Sequence, residues 1–119
     1  MTPSDLPRAR VIKAHTPNPA SAAVFIGPGD PLKIGEESPA YPGWLRATVP
    51  DGRSTWIPEA YVQVNGAKGI ARVEYDSREL AVKGGEEVTL LLEYRGWVWV
   101  RTEDGREGWL PLDVLESAN

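Results

Sequence analysis

Cysteine is absent from this 119-residue sequence, and histidine occurs only once, as His15. Without cysteine the chain forms no disulfide, has no thiolate nucleophile and cannot build a zinc site that needs sulfur ligands. A single histidine excludes a histidine-rich metal site, so we predict no metal or other cofactor. His15 itself, flanked by loop-forming residues, is expected to be an exposed loop residue without a role.

Long apolar runs are also absent, because no segment approaches the ~18 consecutive apolar residues that cross a bilayer. The N-terminus does not carry a charged and then apolar signal segment. We therefore expect a cytoplasmic protein with no membrane partner. Positive charge is scarce as well: the net charge is −4 and the isoelectric point is near 5.0. This balance argues against nucleic acid as a partner and favours basic partners.

An internal repeat is the strongest feature that the sequence does contain. Trp44 recurs as Trp97, and the tripeptide at 51–53, Asp-Gly-Arg, recurs at 104–106 with the same spacing. Ungapped matches of this kind indicate a duplication. The other pairs with this spacing are Gly43 and Gly96, Trp56 and Trp109, and Pro58 and Pro111.

Upstream of these pairs the register of the repeat slips, since 29–34 aligns with 85–90. The first copy therefore carries three extra residues within 35–42, a loop-like stretch where insertions cost little. We predict a disordered lead-in at residues 1–6, a first domain at 7–65, a short joint at 66–69 and a second domain at 70–117.

The chain reads as all-β. Two runs in the second copy, 87–92 and 97–101, are rich in β-branched and aromatic residues, as strands are. Asp-Gly at 51–52 and at 104–105 predicts a hairpin with a primed turn in each copy. Residues 112–115 follow Pro111 and predict a single helical turn before the last strand.

Several motifs of the second copy resemble those of the SH3 domain. They are an opening Ala71-Arg72-Val73-Glu74-Tyr75-Asp76, a turn Leu80-Ala81-Val82-Lys83-Gly84-Gly85-Glu86, the pair Gly96-Trp97, and the closing run Gly105-Arg106-Glu107-Gly108-Trp109-Leu110-Pro111. The first copy matches the later half of this pattern, and its opening at 9–13 is a faint match. The resemblance implies an all-β chain of two tandem SH3-like five-stranded β-barrels.

SH3 domains bind polyproline II segments in a shallow aromatic groove, because such segments lose little entropy on docking. Strand alternation places Trp97 and Trp99 on the face opposite Val98 and Val100, and the resemblance implies that the tryptophan face is the one towards solvent. The resemblance implies that Glu79 pairs with a basic residue of the ligand. The implied peptide-binding residues are Tyr75, Glu79, Trp97, Trp109 and Pro111 in the second copy, and Trp44, Trp56, Pro58, Tyr61 and Tyr41 in the first.

The leading hypothesis is a non-enzymatic adaptor that binds extended protein or peptide segments, with Pro-rich basic segments as candidates. The sequence carries no catalytic triad with supporting context and no phosphate-binding glycine loop. One alternative is a scaffolding module whose two barrels pack together and bind a folded partner; another is a cell-wall-binding SH3-like module. A monomer is favoured, although the sequence does not determine the oligomeric state.

Overall fold

A computed structural model describes residues 6–19 and 22–118, and in them the regular structure is β-strand apart from two short 3-10 helices. The all-β prediction is confirmed. The predicted lead-in at 1–6 lies outside the described residues except for Leu6. No helix in the described ranges has the length and apolarity to span a membrane. The elements in chain order are β1 Arg8–Val11, β2 Phe25–Ile26, β3 Pro31–Glu37, β4 Trp44–Thr48, β5 Ser54–Pro58, a 3-10 helix Glu59–Tyr61, β6 Val62–Asn65, β7 Lys68–Ala71, β8 Tyr75–Asp76, β9 Glu87–Tyr94, β10 Trp97–Thr102, β11 Glu107–Pro111, a 3-10 helix Leu112–Val114, and β12 Leu115–Ser117.

These strands form two five-stranded sheets and a two-stranded one. The strand order is β11-β10-β9-β1-β12 in one large sheet and β5-β4-β3-β7-β6 in the other, and the small sheet pairs β2 with β8. Every pairing is antiparallel. Neither large sheet closes on itself within the described residues, so the predicted closed barrels are not confirmed.

The chain divides into two compact units whose boundaries differ from the predicted ones. Unit 1 combines the residues up to Pro17 with those from Glu79 onward, and unit 2 is the continuous segment Asn18–Arg78. The predicted division at 7–65 and 70–117 cuts across both units. Unit 1 is built mainly from the second copy but contains β1 of the first copy. Unit 2 is built mainly from the first copy but contains β7 of the second copy.

Strands β1 and β7 hold equivalent places in the two sheets. In unit 1, β1 lies between β9 and β12. In unit 2, β7 lies between β3 and β6. The expected arrangement, with residues 9–13 opening the sheet of the first copy, is therefore wrong: β1 belongs to the sheet built from the second copy.

The cause is a tight hairpin at residues predicted to be a joint between domains. Asn65 pairs with Lys68 across a two-residue loop, in which Gly66 has a φ of 65°. A positive φ at the first loop residue alone is the pattern of a type II′ turn, whose twist matches that of paired strands. This local turn holds β7 beside β6 in unit 2, so residues 66–69 are a turn and the start of a strand.

The core of unit 1 includes side chains from both ends of the chain. Val11 from β1 and Val88 from β9 are almost fully buried, and they pack in one cluster with the β10 side chains Val98 and Val100. Trp97 and Trp99 are only half-buried. The predicted alternation along β10 is thus confirmed, with the valines in the core and the indoles on the opposite face.

The core of unit 2 is closed by β7. A Cβ atom on Gly69 would lie 2.8 Å from Cγ2 of Val62 and 2.9 Å from Cγ1 of Ile34, closer than side chains approach in proteins. Ala9 holds the equivalent place in unit 1. The buried apolar side chains of unit 2 include Val24, Ile26, Leu32, Trp44, Leu45, Ala47, Ile57, Val62, Ala71 and Tyr75.

Both predicted Asp-Gly hairpins are present, but their turn type differs from the prediction. Val49 N–H donates to the carbonyl oxygen of Arg53 around a three-residue loop. The φ of Gly52 is 97°, and Asp51 is not among the residues with positive φ. A type I turn followed by a left-handed glycine has this form, whereas a primed turn was predicted. The backbone N–H of Arg53 donates to Asp51 and lowers the pKa of that carboxyl.

A single 3-10 turn follows β5 in unit 2 and the equivalent strand β11 in unit 1. Leu112–Val114 forms the turn predicted after Pro111, and Glu59–Tyr61 forms its counterpart in unit 2. The prediction of a helical turn at 112–115 is confirmed to within one residue. These turns lead directly into β12 in unit 1 and into β6 in unit 2.

Candidate functional site

The predicted groove residues fall into two sets that follow the units and cut across the repeat copies. Tyr75 was grouped with Trp97, Trp109 and Pro111, but it lies on β8 in unit 2. The grouping was wrong because β8 belongs to unit 2, where it pairs with β2. Unit 1 holds Glu79, Trp97, Trp109 and Pro111, and unit 2 holds Tyr41, Trp44, Trp56, Pro58, Tyr61 and Tyr75.

In unit 2 the tyrosine on β8 is buried and hydrogen-bonded. Tyr75 is 4% exposed, and its hydroxyl donates to the carbonyl oxygen of Trp56 at 2.7 Å. Its ring meets that of Tyr61 edge-on, with the centroids 5.8 Å apart. Because the hydroxyl is used and the ring is covered, Tyr75 offers little surface to a ligand.

Trp44 is equally inaccessible. It is 4% exposed, and Pro58, which lies directly opposite on β5, is almost fully buried. The loop lengthened by the three-residue insertion folds back here: Trp44 N–H donates to the carbonyl of Tyr41, and Trp44 O accepts from Ser38 N–H. The implied place of Trp44 in an open groove is wrong, because its ring is buried.

Trp56 is half-buried, and one of its faces is occupied. Arg46 lies directly opposite on β4, and its guanidinium carbon is 4.5 Å from the indole centroid. A cation over an indole face is a stabilising contact. Of the predicted residues of unit 2, only Trp56, Tyr61 and Tyr41 are partly accessible.

In unit 1 the tryptophan equivalent to Trp44 is open. Trp97 is half-buried and lies on β10, between Pro111 of β11 and Tyr94 of β9. The His15 imidazole meets its indole edge-on, with the centroids 6.0 Å apart. Trp97 therefore has an aromatic neighbour contributed by the N-terminal segment.

His15 occupies the place in unit 1 that Tyr75 occupies in unit 2. His15 pairs with Val82, and Tyr75 pairs with Ile26. Ile26 and Val82 are related by the same spacing as the aligned segments 29–34 and 85–90. His15 Nε2 lies 2.9 Å from Oε1 of Glu79, and the two side chains are 18% and 13% exposed. The expectation that His15 is an exposed loop residue without a role is wrong.

Residues 83–115 match the family model of the bacterial dipeptidyl-peptidase Sh3 domain. The matched segment runs through β9, β10 and β11 and includes Trp97, Trp109 and Pro111, but it excludes β1 and His15. An SH3-like domain indicates a protein-binding or cell-wall-binding module. No match was found among curated proteins or among solved structures.

Within the SH3-like segment, Trp109 is buried. It is 4% exposed and meets the Trp99 ring edge-on at 5.6 Å, and its carbonyl accepts from Leu80 N–H. Trp99 Nε1 donates to Oε1 of Glu107 at 2.9 Å. Trp109 was expected to line the groove, but it is buried, and the Trp99 ring packs edge-on against it. Pro111 is buried as well.

Trp97 on β10, together with His15 and Glu79, which lie in isolated bridges of unit 1, forms a partly accessible aromatic surface that we call the Trp97 surface. It combines a flat apolar ring with a carboxylate that is mostly shielded from water. An indole of this kind accepts proline rings or other apolar side chains, and a shielded carboxylate attracts a basic group. Across residues 6–19 and 22–118, no three acidic or imidazole side chains come together as a metal site.

Proposed function

We propose that the chain is a non-enzymatic binding protein made of two SH3-like units, in which unit 1 binds short extended peptides through the Trp97 surface. The shared strand order of the two large sheets and the match at 83–115 support two related units. The peptide is a segment that carries an apolar or proline residue next to a basic one. No catalytic step is part of the proposal.

The observation that carries this proposal is the difference between Trp97 and Trp44. The two residues are equivalent by the repeat, yet Trp44 is buried and Trp97 is only half-buried. A large aromatic ring left partly open beside a carboxylate is typical of a binding hot spot. The Pro-rich ligand class remains a prediction drawn from the SH3 resemblance.

The test is titration of a fluorescently labelled Pro-rich peptide containing arginine, followed by anisotropy. Trp97→Ala is expected to weaken binding at least about thirtyfold, the factor that corresponds to a hot-spot loss of about 2 kcal/mol. Trp56→Ala, which changes a half-buried indole in unit 2, is the matched control and should leave binding within about twofold. Equal losses in the two variants would contradict the assignment of the site to unit 1.

The charge of Glu79 provides a second readout of the same site. Glu79→Gln keeps the shape of the side chain and an acceptor oxygen for the neighbouring imidazole. It is expected to weaken an arginine-containing peptide more than the same peptide with arginine replaced by glutamine. If Glu79→Gln weakens both peptides equally, Glu79 does not interact with the basic residue of the peptide.

A second candidate is binding to cell-wall material, because the matching family is described as a bacterial dipeptidyl-peptidase Sh3 domain. Co-sedimentation with purified cell walls distinguishes the two candidates. Retention of the wild-type chain and loss of retention for Trp97→Ala would favour cell-wall binding through the same surface. Retention that survives Trp97→Ala would reject that role for the Trp97 surface.

A further inference from the structure

A second concave surface lies on unit 2, away from the predicted groove residues of that unit. It is an open cleft of about 680 Å³ on the outer side of the large sheet, and its lining includes Pro31, Lys33, Pro50, Lys68 and Ile70. Ile70 is 52% exposed although it lies on an inner strand. We refer to this feature as the lysine cleft.

Two lysines lie side by side in this cleft. Lys33 on β3 and Lys68 on β7 are direct partners in the antiparallel register, so their side chains leave the same face of the sheet. Among the described residues, neither ammonium makes an ion pair with a carboxylate. Like charges directly opposite each other destabilise a sheet.

Protection of a sheet edge does not explain this pair. Lysines on edge strands prevent unwanted strand pairing. Here β3 and β7 are inner strands, and the edges of the sheet are β5 and β6. The unfavourable pair therefore needs another reason.

In unit 1 the cation at the equivalent position is paired with carboxylates. Arg8 is the counterpart of Lys68, since it pairs with Thr89 as Lys68 pairs with Lys33. Arg8 is neutralised by two carboxylates, at 2.7 Å from Glu87 and 3.5 Å from Glu103. The cation in unit 1 is thus balanced by the protein itself.

Both of those carboxylates are replaced by proline in unit 2. By the repeat spacings, Glu87 corresponds to Pro31 and Glu103 corresponds to Pro50, and both prolines line the lysine cleft. At the positions that line the cleft, unit 2 therefore carries two cations and no acid, whereas the corresponding positions of unit 1 carry three arginines and three glutamates. The result is a pair of unbalanced ammonium groups above apolar walls.

We infer that the lysine cleft binds a short acidic peptide segment, in which a carboxylate lies between Lys33 and Lys68 and an adjacent apolar side chain contacts Ile70. The charge of the two ammoniums selects an anion, and the proline and isoleucine walls select an apolar neighbour. The volume lies in the range of sites for small ligands and matches a few residues. This ligand is opposite in charge to the one proposed for the Trp97 surface, so the two sites are independent.

The probe for the test is an N-acetylated tetrapeptide of alternating leucine and glutamate, titrated against the full chain by calorimetry. The comparison peptide has glutamine in place of glutamate. The wild-type chain is expected to bind the acidic peptide saturably and at least tenfold more tightly than the glutamine peptide. Absence of saturable binding, or equal binding of the two peptides, would overturn the inference.

The variants assign the binding to the cleft. Lys33→Gln with Lys68→Gln is expected to weaken the acidic peptide at least tenfold. Lys13→Gln with Lys83→Gln is the matched control, because it removes two exposed lysines of unit 1 and changes the net charge equally. The control should lose less than twofold. Equal losses in the two double variants would show a general charge effect and overturn the inference.

A further variant separates folding from binding. Lys68→Glu places an acid opposite Lys33, so it should raise the melting temperature while it abolishes binding of the acidic peptide. Ile70→Ser should weaken binding without the change of charge. A Lys68→Glu variant that is more stable and still binds the peptide would contradict the inference.

Discussion

Unit 1 and unit 2 have the same strand order but are built from the chain in different ways. Unit 2 is one continuous segment, whereas unit 1 joins the N-terminal segment to the C-terminal third of the chain across Asn18–Arg78. The comparison shows that a sequence repeat and a folding unit are different things. It also shows that equivalent positions of the two units form different surfaces. Trp97 is partly accessible in unit 1 whereas Trp44 is buried in unit 2, and the lysine cleft of unit 2 lies at positions that carry arginines and glutamates in unit 1.

The largest expected effect concerns which fragments fold. The fragment 18–78 contains all strands of unit 2 and should unfold cooperatively in urea, as monitored by tryptophan fluorescence and far-ultraviolet circular dichroism. The fragments 7–65 and 70–117, cut at the predicted domain boundaries, lack β7 and β1 respectively and should show no cooperative transition. Cooperative unfolding of 7–65 and 70–117, without that of 18–78, would contradict the unit boundaries seen in the structure.

The next effect separates the two equivalent tryptophans. Trp44→Ala removes a buried ring and should lower the free energy of unfolding by about 3–5 kcal/mol. Trp97→Ala removes a half-buried ring and should cost less, about 1 kcal/mol, as is typical of substitutions outside the core. Denaturant unfolding of the full chain measures both. A larger loss of unfolding free energy for Trp97→Ala than for Trp44→Ala would mean that the buried indole is the one in unit 1.

Two valines test how the opening strands are aligned. The similar runs Ala9-Arg10-Val11 and Ala71-Arg72-Val73 suggest that Val11 and Val73 are equivalent. In the structure Val11 is buried in the core of unit 1, whereas Val73 is exposed. Val11→Ala should therefore cost about 2 kcal/mol of unfolding free energy, and Val73→Ala less than about 0.5 kcal/mol. Equal costs would support the alignment suggested by the sequence.

The two units also show what the sequence predicts and what it misses. The hairpins around Asp-Gly and the alternation along β10 follow from local rules, so they could be predicted. The partner of β1 could not be predicted in this way, because two sheets of the same pattern offer it equivalent places. Asn65-Gly66 was the available signal: this dipeptide favours a hairpin, which assigns β7 to unit 2 and leaves β1 for unit 1.

The candidate site was also missed in part. Trp97 was identified from the repeat and from strand alternation. His15 was not, because the loop-forming residues around it predict an exposed position. Aligning the similar Ala-Arg-Val runs at 9–11 and 71–73 does not correct this, since it sets His15 opposite Ser77 instead of its structural counterpart Tyr75. The burial of Trp44 could not be predicted either, because the repeat makes it equivalent to Trp97, which is only half-buried.

The smallest expected effect comes from the charges at the equivalent positions Arg8 and Lys68. Arg8→Glu places an acid near Glu87 and should lower stability, while Lys68→Glu should raise it, in each case by about 0.2–1 kcal/mol. The two changes alter the net charge equally, so each controls for the other. Thermal unfolding at low salt measures the difference, which should shrink as salt increases. Shifts of the same sign would contradict the charge comparison.

The central claim is that the opening strands are exchanged between the two copies, and nuclear Overhauser effects between backbone protons test it most directly. The account predicts cross-strand contacts between Arg10 and Glu87 and between Lys68 and Lys33. Contacts of β1 with β3, together with contacts of β7 with β9, would contradict it.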